Sequence, residues 1–205
     1  MDTTFQELFE KIITRLNEIP YVRMEDLPQI DLYMDQVTTL MEEKLSPTRR
    51  SENDKILTKT MINNYAKNKL LPPPVKKKYS RRHMLLLVFI YYFKGILSLQ
   101  DIQKLIAPLT KDIASGDERF DIEQLYQEIA SSQQAQIPRI SEDLNAFLQT
   151  SDDKFADLSD LIRGQDTSNR KAEADYLKVF SIICTLGADV FVKKRIIEEL
   201  IDSCL

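Results

Sequence analysis

The 205-residue sequence contains no tryptophan, only four glycines and a single histidine, His83. With one histidine, neither a Ser-His-Asp triad nor a metal site built from several histidines can form. A phosphate-binding glycine-rich loop is also excluded, because Gly116 and Gly164 are isolated from one another. We therefore expect no enzymatic activity, no bound metal and no cofactor.

Cysteines and long apolar runs are also scarce. Cys184 and Cys204 lie within helical patterns and lack metal-ligand spacing, so we expect free buried thiols rather than a disulfide. The longest apolar run, residues 84–93, is about half of a membrane span. The first 13 residues lack a basic start followed by an apolar core. These absences predict a cytoplasmic protein with no membrane span and no signal peptide.

Positive charge is concentrated in one segment of a chain whose net charge is −4. Residues 55–111 contain ten lysines, two arginines and one acid, Asp101, which gives +11. The remaining residues include 16 basic and 31 acidic side chains, which gives −15. A lysine-rich patch is most often only a solvated surface, but a division this strong indicates separate functions for the two parts.

Helical periodicity dominates the chain, and the composition favours helices over sheets. Breaks are expected at Pro20, at Pro108, at Ile137-Pro138 and within residues 164–167. The helices predicted between these and other breaks cover residues 4–19, 31–45, 58–69, 80–94, 98–107, 121–131, 141–161 and 171–204.

The short helix that Thr58 opens has two chemically different sides. Apolar residues recur on one side, whereas Thr60, Asn63, Asn64 and Lys67 lie on the opposite side at about 100° per residue. An asparagine amide suits adenine, because it can donate to N7 and accept from N6 at the same time. The sequence therefore predicts a helix that can contact DNA bases.

The motifs from residue 58 to residue 106 follow a recognisable order. It begins with the cap Thr58, the buried residues Ile62 and Tyr65, and the exit Leu70-Leu71-Pro72. It continues with the basic Tyr-Ser segment 77–80 and Ser-Leu-Gln-Asp-Ile at 98–102. This order resembles the winged helix-turn-helix of the MerR transcription regulators. Residues 24–109 also resemble a bacterial family of domains of unknown function, number 1836, whose role is inferred as regulatory. Segments 31–36 and 57–65 carry this resemblance.

Two departures from the MerR pattern keep other functions open. Only residues 75–78 separate the proline exit from Tyr-Ser, so the wing must be truncated, and residues 46–57 form a long connection where that motif has a tight turn. The alternative to DNA binding is a protein-interaction module on a winged-helix frame that has lost DNA reading. A further alternative is a small-molecule sensor with its pocket among the C-terminal helices.

The resemblance and the charge pattern together give one set of expectations. We expect a mainly α protein with an N-terminal helix (1–22), a MerR-like winged helix-turn-helix domain with a truncated wing (23–111) and an α-helical regulatory or dimerisation region (112–205). The expected function is that of a sequence-specific DNA-binding transcriptional regulator. Residues expected to contact DNA are Thr58, Lys59, Thr60, Asn63, Asn64, Lys67, Lys76, Lys77, Lys78, Tyr79, Arg81 and Arg82.

The expected partners are double-stranded DNA and a second copy of the chain. The apolar residues between Tyr176 and Leu200 are too numerous for one helical stripe, so part of this surface should pack on neighbouring helices and part should meet a second subunit. MerR-like proteins pair through a C-terminal helix, which the resemblance extends to this chain. The alternative is one monomeric helical domain that encloses all of this apolar surface. No residue identifies a small-molecule effector.

Overall fold

The computed structural model describes residues 5–17, 21–154, 161–162 and 170–205. Within these ranges the chain forms seven α-helices and one two-stranded antiparallel sheet. In chain order the elements are α1 (Phe5–Asn17), β1 (Leu32–Tyr33), α2 (Met34–Leu45), α3 (Lys59–Lys67), β2 (Lys78–Tyr79), α4 (Arg81–Phe93), α5 (Leu99–Ser115), α6 (Ile122–Lys154) and α7 (Arg170–Cys204). The mainly α class expected from the sequence is confirmed.

The chain divides into two compact units. The first lies within Met1–Ala135 and Leu200–Leu205, and the second within Gln136–Glu199. The domain boundary expected after residue 111 falls inside α5. The predicted stop at Pro20 and the predicted joint at residues 164–167 lie outside the described residues.

Helix α4 is the most buried element of the first unit. All residues from His83 to Ile90 are buried, because this helix is apolar all round and is covered on every side. The backbone N–H of Ser80 donates to His83 Nδ1 at 3.2 Å, which closes the first turn. The predicted start at Ser80 is confirmed.

Helix α2 begins three residues later than predicted. Leu32 and Tyr33 are extended because they pair antiparallel with Tyr79 and Lys78 of β2. The Tyr33 N–H then donates to Gln36 Oε1 at 2.9 Å, and the helix follows. The prediction of helix from residue 31 was therefore wrong, since a pairing partner more than 40 residues away decides the local conformation.

Helix α5 continues through Pro108, so the predicted end at Ala107 was wrong. Its start is as predicted, with Ser98 Oγ accepting from the Asp101 N–H at 3.1 Å. Proline removes one backbone hydrogen bond and crowds the preceding turn, at a cost of about 3 kcal/mol. Packing on both sides of the break outweighs this, because Ile106 and Asp112 are buried. Gly116, with φ of 72°, ends the helix instead.

Helix α6 also continues through a proline, Pro138, and merges the two helices predicted on either side of it. The predicted joint at Ile137-Pro138 was wrong. The start near Asp121 is confirmed, since its Oδ1 accepts from the Gln124 N–H at 2.9 Å. Ser141 is buried just beyond the proline, which shows that packing resumes within one turn.

Helix α7 begins within one residue of the predicted position and is 35 residues long. Both cysteines lie on it and are free, but they are exposed, so the expectation of buried thiols was wrong. Among the described helices, none combines the length and apolar character needed to cross a membrane.

Candidate nucleic-acid interface

Helix α3 is fixed in place by its cap and by two buried side chains. Thr58 Oγ1 accepts a hydrogen bond from the Met61 N–H at 3.2 Å, which satisfies one of the free donors of the first turn. Ile62 and Tyr65 are buried on the inner side, where α3 packs against α2. The cap and the buried face together hold the other side of the helix towards solvent.

The exposed side of α3 carries amide, hydroxyl and ammonium groups, and no acid. Its members are Lys59, Thr60, Asn63, Asn64 and Lys67. Lys59 forms an ion pair with Asp35 of α2, and both side chains are largely exposed. Within the described ranges, Lys67 has no ion-pair partner. These are the residues predicted from the sequence, and α3 brings them to one surface.

The exit of α3 is locked to the core. The backbone N–H groups of Leu70 and Leu71 both donate to the Tyr65 carbonyl, at 2.9 and 3.3 Å. Both leucine side chains are buried, and Thr110 Oγ1 of α5 donates to the Leu70 carbonyl at 3.1 Å. Because the exit is tied to both α3 and α5, the chain leaves towards the hairpin in one fixed direction.

A minimal hairpin follows the three prolines. Val75 and Lys78 pair antiparallel, and the Lys78 N–H donates to the Val75 carbonyl at 2.9 Å. Lys76 and Lys77 form the two-residue turn, with φ of 50° and 66°. Positive φ at both central positions is the type I′ geometry that matches strand twist and normally selects Asn-Gly. Lysine at both positions is therefore strained.

The three lysines of this hairpin have different environments. Lys76 and Lys77 are exposed at the tip, and within the described residues neither forms an ion pair. Lys78 is half-buried, with its Nζ 5.2 Å from the centre of the Tyr33 ring on β1. The hairpin tip therefore presents two uncompensated positive charges to solvent.

Tyr79, although predicted at the interface, belongs to the core. It is 3% exposed, and its ring meets the His83 ring edge to face at 5.7 Å between centres. Burial raises the pKa of the Tyr79 hydroxyl and lowers the pKa of His83. This aromatic pair joins the base of the hairpin to the first turn of α4.

Arg81 and Arg82, also predicted to contact DNA, are engaged in internal interactions. Arg81 Nη1 lies 3.2 Å from Glu123 Oε2 of α6, and its Nη2 donates to the Met24 carbonyl. Arg82 Nη2 donates to Asp112 Oδ2 at 2.6 Å. Their side chains are 12% and 18% exposed. Both charges are already compensated, so the structure gives these arginines a role in joining helices.

Asp112 is the residue that sequence reasoning missed. Its carboxylate is fully buried and also accepts from the Arg119 and Phe120 N–H groups, at 2.8 and 3.4 Å. Burial would raise the pKa of this carboxyl, but those N–H donors and the Arg82 guanidinium together hold it below the ordinary value. A signal was present in the sequence, because an acid in the last turn of a helix opposes the helix dipole and needs a cationic partner.

The described residues contain no cluster of three or more His, Cys, Asp or Glu side chains placed to bind a metal ion. Lys59, Thr60, Asn63, Asn64 and Lys67 on α3 and the tip lysines Lys76 and Lys77 are the exposed members of the predicted set. This surface offers hydrogen-bond donors and acceptors flanked by positive charge.

Comparison with known proteins identifies one relationship. Neither the curated proteins nor the solved structures include a match to this chain. The family model described as "Domain of unknown function (DUF1836)" matches residues 22–129, which is more than half of the chain and includes α2 to α5. The protein belongs to this family of domains of unknown function.

Proposed function

We propose that this protein is a sequence-specific DNA-binding transcriptional regulator in which α3 enters the major groove. One observation carries the proposal: the exposed side of a firmly anchored helix has amides, a hydroxyl and ammonium groups but no carboxylate. DNA presents base edges in a groove about 12 Å wide, which admits one α-helix. A carboxylate on this side would be repelled by the flanking phosphates.

Asn63 is the central base-contacting residue of the proposal. It lies opposite the buried Ile62 and Tyr65 side, with Thr60 and Lys67 on the same exposed surface. A bidentate amide contact with adenine discriminates against other bases by about 1–3 kcal/mol. Lys67, near the end of the helix, is long enough to reach a phosphate beside the groove.

The hairpin supplies contacts outside the groove. Lys76 and Lys77 project from a tip that is fixed to the exit of α3, and each phosphate they neutralise would release condensed counterions. In the proposed fold this hairpin takes the place of the MerR-like wing, reduced to a two-residue turn. With Arg81 and Arg82 removed from the set, the tip lysines carry the proposed backbone contacts on this side.

A protein-interaction module is the second candidate, and one observation favours it. Tyr33 and Val75 are 52% and 66% exposed, and they flank Lys78 on the two-stranded ribbon. An apolar pair of this kind beside lysines can bind an acidic protein surface. The 13 residues between α2 and α3 also make this frame unlike a tight helix-turn-helix.

Charge reversal on α3 separates the two candidates. We expect Lys67→Glu to weaken binding to all duplex DNA about tenfold and to reduce the log–log salt slope by about one. The matched control is Arg139→Glu, which reverses an exposed charge on α6. Fluorescence anisotropy of labelled duplexes over a salt series measures both quantities.

Equal effects of the two reversals would show that net charge, and not α3, governs binding. Absence of duplex binding by the wild-type chain at low salt would reject the DNA proposal and leave the protein-interaction module.

A further inference from the structure

An ion pair links the first turn of α2 to the first turn of α3. Asp35 Oδ1 contacts Lys59 Nζ, and the two side chains are 74% and 60% exposed. Asp35 was not among the residues predicted to contact DNA, yet its carboxylate reaches the exposed side of α3 that carries Thr60, Asn63 and Lys67. The pair therefore places a hydrogen-bond acceptor beside a surface that is otherwise suited to phosphates.

The positions of the two residues explain why they pair. Lys59 is the first residue of α3, where the positive end of the helix dipole disfavours a cation, and no acid lies in that first turn. Asp35 lies in the first turn of α2, where the dipole favours a carboxylate. Because both groups are exposed, the pair adds little to the stability of the fold. Each group can therefore exchange its partner for a group on DNA at low cost.

We infer that Asp35 and Lys59 together read a G·C base pair, which makes Asp35 a specificity-determining residue; this inference rests on the proposed function of α3. In the major groove, guanine presents the acceptors N7 and O6, and cytosine presents the N4 amino donor. The Lys59 ammonium donates and the Asp35 carboxylate accepts, so the two side chains match the two halves of this base pair. An A·T pair has the opposite pattern, because adenine N6 donates where guanine O6 accepts and thymine O4 accepts where cytosine N4 donates.

The spacing along α3 locates this base pair relative to the adenine that we assign to Asn63. The N-terminal residues of a helix in the major groove are those that contact base edges. Lys59 and Asn63 are four residues apart on the exposed side, which is about 6 Å along the helix axis. Successive bases of one strand are about 3.4 Å apart. The G·C pair should therefore lie about two base pairs from the adenine.

Asp35 has the opposite effect on DNA of random sequence. Binding to random DNA depends on phosphate contacts, and in those complexes the Asp35 carboxylate repels phosphates and occupies the Lys59 ammonium. Removal of the carboxylate should therefore strengthen binding to random DNA and weaken binding to the specific site. A residue that only stabilised the start of α2 would not change the two affinities in opposite directions.

The first test removes the carboxylate. We expect Asp35→Ala to bind random duplexes about threefold more tightly, with a log–log salt slope steeper by about one, because Lys59 is released to a phosphate. The same variant should bind the specific site about tenfold more weakly. The matched control is Asp189→Ala, which removes the acid of an exposed aspartate–lysine pair on α7. Fluorescence anisotropy over a salt series measures both affinities, and circular dichroism checks the fold of each variant. Changes in the same direction on both DNAs, or changes equal to those of the control, overturn the inference.

The second test identifies the base pair. Selection from randomised duplexes should give the wild-type chain a motif with a G·C pair about two base pairs from the adenine. Asp35→Ala should keep the adenine and lose the G·C preference, and Asp189→Ala should keep both. Inosine·cytosine has the major-groove edges of G·C and should bind equally well, whereas A·T at this position should bind about tenfold more weakly.

The outcomes of the selection separate this inference from the proposed function. A motif that contains the adenine but no G·C pair, or a G·C preference that Asp35→Ala retains, overturns the role of Asp35 and leaves α3 as the reading helix. The absence of any motif would reject the proposed function, and the role of Asp35 with it.

Discussion

The strained turn at Lys76 and Lys77 predicts that one substitution will change stability and DNA binding in opposite directions. Both residues have positive φ, which costs an L-residue other than glycine roughly 1–2 kcal/mol. The double substitution Lys76→Asn/Lys77→Gly installs the pair that a type I′ turn prefers. It also removes the two ammonium groups that we assign to phosphate contacts.

The magnitude follows from the two backbone angles. Glycine at position 77 relieves roughly 1 kcal/mol of backbone strain. Asparagine at position 76 relieves a part of the strain there, because asparagine tolerates the left-handed region. The added freedom of glycine in the unfolded chain offsets about 0.5 kcal/mol. The net gain of about 1 kcal/mol should raise the melting temperature by about 2–4 °C in a chain of this length.

The assay pairs thermal unfolding with DNA binding over a salt series. The control variant Lys76→Ala/Lys77→Ala removes the same charges but keeps a Cβ at both positions, so its strain and melting temperature should stay near those of the wild-type chain. Both variants should reduce the log–log salt slope by about two. A melting temperature of the Asn-Gly variant at or below that of the Ala-Ala variant would refute the turn geometry. Unchanged salt slopes in both variants would refute the phosphate contacts.

Three further predictions concern α3 and its support. Asn63→Ala should weaken the binding free energy by about 1–3 kcal/mol on a specific site and by little on random DNA, with Asn145→Ala on α6 as the matched control. Replacing the contacted adenine by 7-deazaadenine should weaken binding only by chains that retain Asn63. Thr58→Ala should reduce the free energy of unfolding by about 1 kcal/mol in urea titrations, and Thr58→Ser should recover it. Because the folded state lowers the pKa of Asp112, its carboxylate stabilises the folded chain fully when the pH is above the ordinary pKa of 3.8. This stabilisation is lost as the pH falls through the pKa of the folded state. The melting temperature of the wild-type chain should therefore fall as the pH drops below about 4, and that of Asp112→Asn should not. The same fall in the variant would exclude Asp112 as its source.

The local signals that the sequence carries were sufficient for several elements. The helix starts predicted at Thr58, Ser80 and Ser98 are those of α3, α4 and α5, since each start is fixed by an interaction between residues three positions apart. The burial of α4 agrees with the apolar run at residues 84–93, because no side of that run could face water at low cost. The exposed side of α3 followed from the positions of Ile62 and Tyr65.

Errors occurred where distant packing decides the outcome. Pro108 and Pro138 were expected to end helices, yet buried residues just beyond each one hold the helix together. Residues 32 and 33 were read as helical because their strand partner lies at residues 78 and 79. A one-dimensional pattern gives the local cost of a proline or the local preference of a residue, but not the energy of a contact far along the chain.

The interface was predicted in part for the same reason. Periodicity placed Asn63, Asn64 and Lys67 correctly on an exposed side. It could not show that the charges of Arg81 and Arg82 are compensated by Glu123 and Asp112, which are 42 and 30 residues away. A count of charges in a segment therefore overestimates the charge that is available to a partner.

The measurement that tests the central claim most directly is genome-wide footprinting of the tagged protein, performed with the wild-type chain and with Asn63→Ala. The account predicts sharp sites that share one sequence motif containing an adenine, and loss of these sites in the Asn63 variant but not in Asn145→Ala. The absence of a shared motif, or sites that persist unchanged in the Asn63 variant, would contradict the assignment of α3 as the helix that reads DNA.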